Sequence, residues 1–452
     1  MTTEHDLLAD ADTRAASYLA SVGRRRVFPD QAAIAALASF DQPLSDTPED
    51  PAEILRLLDE VGSPATSVSN GPRYFGFVIG ATLPAAAAAE RLALAWDQCA
   101  SSFVNSPAAA ALEKAAAQLV LEALDLPRDS AVGFGTSATA SGLTCLTAAR
   151  RALLTRAGWD FDAQGLTGAP AIRVVVPATV HITVLKALRI LGFGTDHLVR
   201  APVDDAGRVD PAQLPSVDAR TILCLQAGEV NTGEFDPFAE LIPKARTAGA
   251  WVHVDGAFGL WARASKPARY LTEGVDQADS WTTDGHKWLN TPYDGAMAIC
   301  RDPSELAAAM NADAAYSSAE PDAQKNLTLE FSRRARGVPI WAALRALGRS
   351  GVEEMVERHR RQARCLAEGL RAAGFEIVNR VVLNQVLVRG RNDAETASVL
   401  ARVQADGKIW FGGTRFRDRL AFRLSVSSWR TSDDDIEYAI QVIADARDEV
   451  GV

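Results

Sequence analysis

The sequence contains little cysteine, no excess of positive charge and no apolar run long enough to cross a bilayer. Its five cysteines lie far apart without a C-x-x-C pair, which argues against a disulfide framework and favours a reducing compartment. A formal net charge of −10 argues against general binding to nucleic acids or anionic membranes. The acidic N-terminus lacks an apolar signal region, and we therefore expect a cytoplasmic protein.

The length and the pattern of the chain predict more than one domain. The 452 residues exceed a single ordinary core, and 48% apolar with 23% charged residues is typical of soluble globular proteins. The pattern indicates a helical arm over residues 1–72, which cannot close its own core, and a large domain over residues 73–345. A small C-terminal α/β domain is predicted over residues 346–452.

Apolar strand segments alternate with helical segments through the large domain. The strand segments are SAVGFG, IRVVVPA, TILCLQAG and AWVHVDGA. Strands that are apolar on both faces and alternate with helices are typical of a parallel sheet covered on two sides. The sequence therefore predicts an α/β fold with a mainly parallel sheet sandwiched by helices.

A carboxylate and an amine lie at the ends of two successive strand segments. Asp255 ends AWVHVD, and Lys287 follows the next segment, SWTTDGH. A buried carboxylate needs a charge-assisted partner, which a protonated pyridine nitrogen supplies, and a desolvated lysine attacks aldehydes. The pair therefore predicts pyridoxal 5′-phosphate (PLP) as cofactor, with small Ala257 leaving room against its ring. We predict no metal site, because His253 beside Asp255 has too few further ligands nearby.

A segment rich in small residues, GFGTSATASG, joins the strand SAVGFG to the next helix. Its backbone N–H groups and the hydroxyls of Thr136, Ser137 and Thr139 can approach an anion, which a helix N-terminus also favours. The same segment spells G-x-G-x-x-A, so a nicotinamide oxidoreductase is the rival hypothesis. That rival requires an acidic residue at the end of the next strand, whereas IRVVVPA ends near Pro177.

Two histidines accompany these segments. His181 stands where the strand IRVVVPA turns into a helix, and a lone histidine there is usually a cap or a packing residue. Because open α/β sheets bind ligands at the carboxyl ends of their strands, we predict that His181 instead covers one face of the cofactor ring. His286, which precedes Lys287, is predicted to donate a hydrogen bond to the phosphate.

Together these segments resemble the group II PLP-dependent amino-acid decarboxylases, which include the aromatic-amino-acid, histidine and glutamate decarboxylases. The resembling segments are His253–Ala257, Ala278–Ser280 with His286–Lys287, His181, Gly135–Ala138 and Gly228–Asp236. The resemblance implies a fold-type-I enzyme that is an obligate homodimer with active sites at the interface and an amino acid as its substrate. It also implies that Ala138 belongs to the phosphate loop, that Asn231 lies near the ring or phosphate, and that residues 332–337 approach the site.

Two departures from the family pattern accompany this resemblance. The usual Asn-Pro before His-Lys is here Asp284-Gly285, and an acid near a phosphate is unexpected. The segment after Tyr316 is short and has no second tyrosine, whereas the aromatic decarboxylases carry a proton-donating tyrosine in a longer loop. Tyr316, His181 and Lys287 are the candidate substitutes for that donor.

The resemblance implies decarboxylation of an L-amino acid. The amino acid would displace Lys287 from its aldimine with PLP, and loss of CO2 would give a quinonoid carbanion that is then protonated. Other PLP reactions stay open, namely decarboxylation-coupled oxidative deamination to an aldehyde, transamination and carbon–carbon lysis. A catalytically inactive scaffold is a further class, which the intact set of Lys287, Asp255 and His181 argues against.

Overall fold

A computed structural model describes residues 3–311 and 323–451. Its α-helices are α1 (Glu4–Ser21), α2 (Gln31–Ala36), α3 (Pro51–Leu57), α4 (Pro84–Trp96), α5 (Pro107–Ala123), α6 (Ala138–Arg156), α7 (Phe161–Gln164), α8 (Ile182–Ile190), α9 (Phe238–Thr247), α10 (Pro303–Met310), α11 (Gly337–Ala372, kinked at Gly348), α12 (Asp393–Asp406) and α13 (Asp433–Glu449). Its strands are β1 (Ala131–Gly135), β2 (Arg173–Pro177), β3 (Val199–Ala201), β4 (Thr221–Gln226), β5 (Trp251–Asp255), β6 (Ser280–Asp284), β7 (Ala296–Cys300), β8 (Glu376–Ile377), β9 (Gln385–Arg389), β10 (Gly412–Phe416) and β11 (Arg419–Ser425). Over these residues, no helix combines the length and the apolarity that a membrane span requires.

The chain divides into two compact units. The terminal unit comprises Met1–Ala81, Cys365–Val378 and Val386–Val452. The central unit comprises Thr82–Arg364 and Asn379–Gln385. The three-part division that the sequence suggested stays a prediction.

The central unit contains a sheet whose described strands have the order β1-β7-β6-β5-β4-β2-β3. Strands β2 to β6 pair in parallel, whereas β7 is antiparallel to both β1 and β6. Strands β4, β5 and β6 are buried along their whole length, as expected for strands that are covered on both faces. The predicted α/β fold with a mainly parallel sheet is therefore confirmed.

The carboxyl ends of β1, β2, β4, β5 and β6 lie at one edge of this sheet, which we call the carboxyl edge. Because β7 runs in the opposite direction, its first residue, Ala296, also lies at this edge. Ala296 pairs with Gly135 of β1 on one side and with Asp284 of β6 on the other. Ligands of open α/β sheets bind outside the carboxyl ends of the strands, so the pairing brings the predicted cofactor-binding segments to one place.

A hydrophobic core lies between the central sheet and the helices α6 and α8. Leu146 and Leu153 of α6 belong to one buried cluster with Val174, Cys224 and Trp251 of the strands. Each such side chain stabilises the fold by about 1.5–3 kcal/mol when it leaves water. The packing anchors α6, so its N-terminus has a fixed position at the carboxyl edge.

The terminal unit has a sheet of its own, with the strand order β10-β11-β9-β8. Strands β10 and β11 are antiparallel, and helix α12 packs on both β11 and α13. The core is partly aromatic, since Phe411 packs on Phe422 with ring centroids 4.8 Å apart and Phe375 meets Phe422 edge-on at 6.0 Å. This unit therefore has an α/β structure with a separate core.

Candidate active site

Lys287 lies in the turn that directly follows β6, at the carboxyl edge. The next residue, Trp288, is buried, and its Nε1 donates to Nδ1 of His359 at 2.8 Å. Nδ2 of Asn290 donates to the carbonyl oxygen of Trp288 at 2.7 Å. These contacts fix the turn, while the side chain of Lys287 remains 21% exposed.

Asp255 is the last residue of β5 and pairs with Thr282 of β6. Its Oδ1 accepts a hydrogen bond from the N–H of Ala257 at 3.1 Å and a long one from Oγ1 of Thr282 at 3.5 Å. The residue is 9% exposed, yet it forms no ion pair with a lysine or arginine within the described ranges. Since a buried carboxylate without a cation is costly, the site fits a ligand that brings a positively charged N–H.

His253 lies on the same face of β5 as Asp255, because alternate residues of a strand point the same way. Nε1 of Trp251 donates to Oγ of Ser280 at 2.9 Å, and Nδ1 of His253 lies 2.9 Å from the same oxygen. Burial lowers the pKa of His253 to about 4, although the Asp255 carboxylate opposes this shift. The imidazole is therefore neutral at physiological pH. From the sequence His253 was considered as a metal ligand, and its contact with Ser280 was not identified.

Residues Thr136–Ala138 connect β1 to α6 at the carboxyl edge. Ser137 is the N-cap of α6, and its Oγ accepts a long hydrogen bond of 3.4 Å from the N–H of Ala140. The first N–H groups of a helix have no partner within the helix, so this loop presents backbone donors to an anion. The loop lies at the N-terminus of α6, and its contact with a phosphate stays a prediction.

Asp284 joins the phosphate loop to the lysine turn. Its Oδ1 accepts a hydrogen bond from the N–H of Ala138 at 2.6 Å and lies 3.8 Å from Nε2 of His286. Its Oδ2 lies 3.4 Å from Nζ of Lys287, and the side chain is only 2% exposed. A buried acid thus contacts two of the segments that were predicted to bind the cofactor.

His286 is buried and stacks on Tyr293, with ring centroids 4.2 Å apart. The N–H of Gly295 donates to Nδ1 of His286 at 3.3 Å. Burial lowers the pKa of His286, although the Asp284 carboxylate opposes the shift. A neutral imidazole that accepts at Nδ1 carries its proton on Nε2. The donor that was predicted for the phosphate therefore faces Asp284.

His181 is the N-cap of α8, at the carboxyl edge and two strands away from Asp255. Its Nδ1 accepts a hydrogen bond from the N–H of Thr183 at 3.3 Å and lies 2.7 Å from Oγ1 of the same residue. The preceding loop is tied to the end of β4, since Nε2 of Gln226 donates to Oγ1 of Thr179 at 3.2 Å. The capping role is thus present in the structure, and the role over the cofactor ring stays a prediction.

Asn231 and Ala257 follow the strands β4 and β5. The backbone N–H and Nδ2 of Asn231 donate to the buried carboxylate of Glu229 at 2.8 and 3.3 Å. Glu229 organises this loop and was not identified from the sequence. The carbonyl oxygen of Ala257 accepts from the N–H of Asp284 at 2.9 Å, so Ala257 links the ends of β5 and β6. The proximity of Asn231 and Ala257 to a bound cofactor stays a prediction.

Residues 332–337, which were predicted to approach the site, are held by helix α5. The guanidinium of Arg333 donates two hydrogen bonds of 2.7 Å to the carboxylate of Glu113, which also accepts from the N–H of Gly337 at 3.2 Å. The two charged side chains are 2% and 3% exposed. The approach of this segment to the site stays a prediction, and Tyr316 lies outside the described residues.

The chemistry of this edge fits PLP. Asp255 is a buried carboxylate with no lysine or arginine partner among the described residues, and Lys287 is a partly exposed amine one strand away. The N-terminus of α6 offers backbone donors for a phosphate, although Asp284 takes one of them. Across residues 3–311 and 323–451, no group of three His, Cys, Asp or Glu side chains is arranged to hold a metal ion.

Comparison with known families agrees with this chemistry. The profile of the Pyridoxal-dependent decarboxylase conserved domain matches residues 35–390. The chain belongs to this family. It is therefore a PLP-dependent carboxy-lyase that acts on an amino acid, and the family, the cofactor and the reaction class predicted from the sequence are confirmed.

Characterised relatives cover most of the chain. It is 27% identical over 416 residues to tryptophan decarboxylase 1 of Oryza sativa subsp. japonica, covering 82% of this chain and 79% of the relative. It is 25% identical over 433 residues to the L-2,4-diaminobutyrate decarboxylase of Rhizobium meliloti (strain 1021), covering 90% and 85%. The fold is similar to the crystal structure of Oryza sativa TDC with PLP and tryptamine, with a TM-score of 0.91, 22% identity and coverage of 99% and 98%.

The comparisons decide between the classes of protein that the sequence left open. Relatives named as decarboxylases favour loss of CO2 over the other PLP reactions, and they do not favour the nicotinamide oxidoreductase hypothesis for the loop at 133–138. The substrates in the names of these relatives range from tryptophan to diaminobutyrate. Family membership therefore defines the reaction and leaves the substrate side chain open.

Proposed function

We propose that this decarboxylase holds PLP at the carboxyl edge of the central sheet and removes the α-carboxylate of an L-amino acid there. The supporting observation is the placement of Lys287 and Asp255 at the ends of the neighbouring parallel strands β6 and β5. When bound, PLP supplies an aldehyde that reacts with amines and a ring that accepts the electron pair released with CO2.

Three residues act on the reacting part of the site in this proposal. Lys287 supplies the amine for the aldehyde carbon and, once the substrate has replaced it, moves a proton at Nζ. Asp255 holds a proton on the ring nitrogen, and each unit by which it raises the pKa of that nitrogen is worth about 1.4 kcal/mol. His181 covers one face of the ring and keeps water from it.

Four further residues bind the phosphate in this proposal. Thr136, Ser137 and Ala138 contribute hydroxyl and backbone donors at the N-terminus of α6, where the helix dipole favours an anion. His286 contributes Nε2–H. Asn231 lies close to the ring or the phosphate. These groups orient the cofactor so that its aldehyde meets Lys287.

Replacing Lys287, the residue that supplies the reacting amine, tests this proposal. The Lys287→Ala variant should bind no cofactor covalently and should release no CO2 from any amino acid, because no other group supplies the reacting amine. Borohydride reduction followed by mass spectrometry should find the cofactor on Lys287 of the unaltered protein. The exposed Lys266 provides the control, since Lys266→Ala should keep both the label and the activity. Full turnover by Lys287→Ala would contradict the proposal.

A panel of amino acids then identifies the substrate and the outcome. Aromatic and diamino acids come first, because relatives with both kinds of name cover most of this chain. Release of CO2 with one equivalent of amine supports simple decarboxylation. Release of CO2 with an aldehyde and H2O2 would indicate oxidative deamination, and a keto acid would indicate transamination.

We further propose a cytoplasmic homodimer with active sites at the interface, in line with the family resemblance. Apolar side chains near the C-terminal end of α4 support association, since Leu92, Leu94 and Trp96 are 56%, 75% and 45% exposed in the single chain. Light scattering at micromolar concentration should give twice the mass of the chain. A monomeric and fully active protein would contradict the dimer.

A further inference from the structure

Asp284 accepts one hydrogen bond and has two further nitrogen groups within 4 Å of its carboxylate. The N–H of Ala138 donates to its Oδ1, Nε2 of His286 lies 3.8 Å from the same oxygen, and Nζ of Lys287 lies 3.4 Å from Oδ2. The side chain is 2% exposed, so these contacts form away from bulk water. The hydrogen bond from Ala138 to this carboxylate is charge-assisted, and such bonds are strong when they are buried.

Two of these donors are groups that the cofactor phosphate requires. The N–H of Ala138 is in the first turn of α6, and Nε2–H of His286 is the donor expected to meet a phosphate oxygen. In this structure both of them face the carboxylate of Asp284.

We propose that the carboxylate of Asp284 competes with the cofactor phosphate for the donors at the N-terminus of α6. It thereby lowers the affinity of the protein for PLP. The inference rests on the proposed function, since it assumes that the phosphate binds at the N-terminus of α6. Asp284 would have to release the N–H of Ala138 for a phosphate to bind it, and its buried carboxylate would oppose a second negative charge nearby. At an effective dielectric constant of about 20, a second unit charge of the same sign within several ångströms lowers an affinity by more than about tenfold.

The Asp284→Asn variant tests the charge alone, because asparagine keeps the shape and can still accept from the N–H of Ala138. The full-length protein is stripped of cofactor and titrated with PLP and with pyridoxal, which lacks the phosphate, while the absorbance and tryptophan fluorescence are followed. We expect Asp284→Asn to bind PLP at least about tenfold more tightly than the unaltered protein does. The affinity for pyridoxal should change by less than about threefold, since no phosphate is present to be repelled.

Asp279 provides the matched control. It is a half-buried aspartate immediately before the first residue of β6, and its Oδ2 accepts from the N–H of Val252 at 2.8 Å. Asp279→Asn also removes one carboxylate, but at the opposite end of β6 from Asp284 and from the predicted phosphate loop. The ratio of PLP to pyridoxal affinity should therefore stay unchanged in this variant. Asp284→Ser is a second neutral variant, for which inorganic phosphate should compete with PLP more strongly than in the unaltered protein.

Three results would overturn the inference. The first is an Asp284→Asn protein whose ratio of PLP to pyridoxal affinity equals that of the unaltered protein. The second is an equal change of this ratio in Asp279→Asn. The third result concerns the unaltered protein, which should not bind PLP more than about ten-thousand-fold more tightly than pyridoxal. A larger ratio would mean that the phosphate contributes more binding energy than a site opposed by an anion allows. If Lys287 carries the borohydride label in all these cases, the proposed function survives while this inference fails.

Discussion

Asp255 and Asp284 are both buried aspartates at the ends of neighbouring strands, yet their surroundings are opposite. Asp255 accepts from one backbone N–H and one hydroxyl, and no lysine or arginine among the described residues pairs with it. Asp284 accepts from a backbone N–H and faces both an imidazole and the ammonium group of Lys287. Burial alone therefore does not assign a role to a carboxylate. The missing partner of Asp255 points to a ligand, and the complete set around Asp284 points to an internal contact.

Of the substitutions that test this difference, replacement of Asp255 should have the largest effect, which is a loss of activity. Asp255→Asn cannot hold the proton on the ring nitrogen, so the electron pair released with CO2 loses its acceptor, and kcat should fall by about a thousandfold. Steady-state CO2 release measures this loss, and borohydride labelling of Lys287 checks that the cofactor is still bound. A fall of less than tenfold with full labelling would remove the distinction between the two aspartates.

A second test uses His253, which lies on the same strand as Asp255 and should make the free energy of unfolding depend on pH. The unfolded chain protonates this histidine near pH 6.5, whereas in the folded protein burial lowers the pKa of His253 to about 4. The neutral form thus contributes about 3 kcal/mol, which is fully present above pH 6.5 and is lost as the pH falls to 4. Urea unfolding across this range should show the loss, and His253→Gln should flatten it.

The control for this measurement is His197, an exposed histidine of the same unit. His197→Gln should leave the dependence of the free energy of unfolding on pH unchanged. An equally steep loss of stability in His253→Gln would show that other groups cause it.

The smallest of these effects should come from His286. His286→Phe keeps the stacking on Tyr293 but removes Nε2–H, so the affinity for PLP should fall by about tenfold and the affinity for pyridoxal should hardly change. Fluorescence titration with the two compounds measures both values. A parallel fall in the two affinities would mean that His286 supports the lysine turn rather than the phosphate.

Much of the fold and of the candidate site could be predicted because local patterns carry the information. Apolar strands with helices between them define a parallel sheet, and the residues at the strand ends then share an edge. Asp255, Lys287 and the loop Thr136–Ala138 could be identified in this way, since each directly follows or ends an apolar segment. Their common edge requires only that the strands be parallel.

Contacts between distant parts of the chain could not be predicted from such patterns. Asp284 and Ala138 are 146 positions apart, and Arg333 and Glu113 are 220 positions apart. No local window contains both partners, and a surface arginine has the same local signature as a buried, paired one. The direction of β7 could not be predicted for a similar reason, because an apolar segment has the same pattern in either direction.

The antiparallel strand β7 has a consequence for the order in which the protein matures during synthesis. Ala296 aligns Gly135 with Asp284, so the phosphate loop and the lysine turn come into register only through a strand that the ribosome makes after both of them. A nascent chain that ends before residue 296 carries Lys287 and the phosphate loop without the strand that sets them side by side. Vitamin B6 capture should therefore be a late event in biogenesis, which follows long-range closure of the sheet.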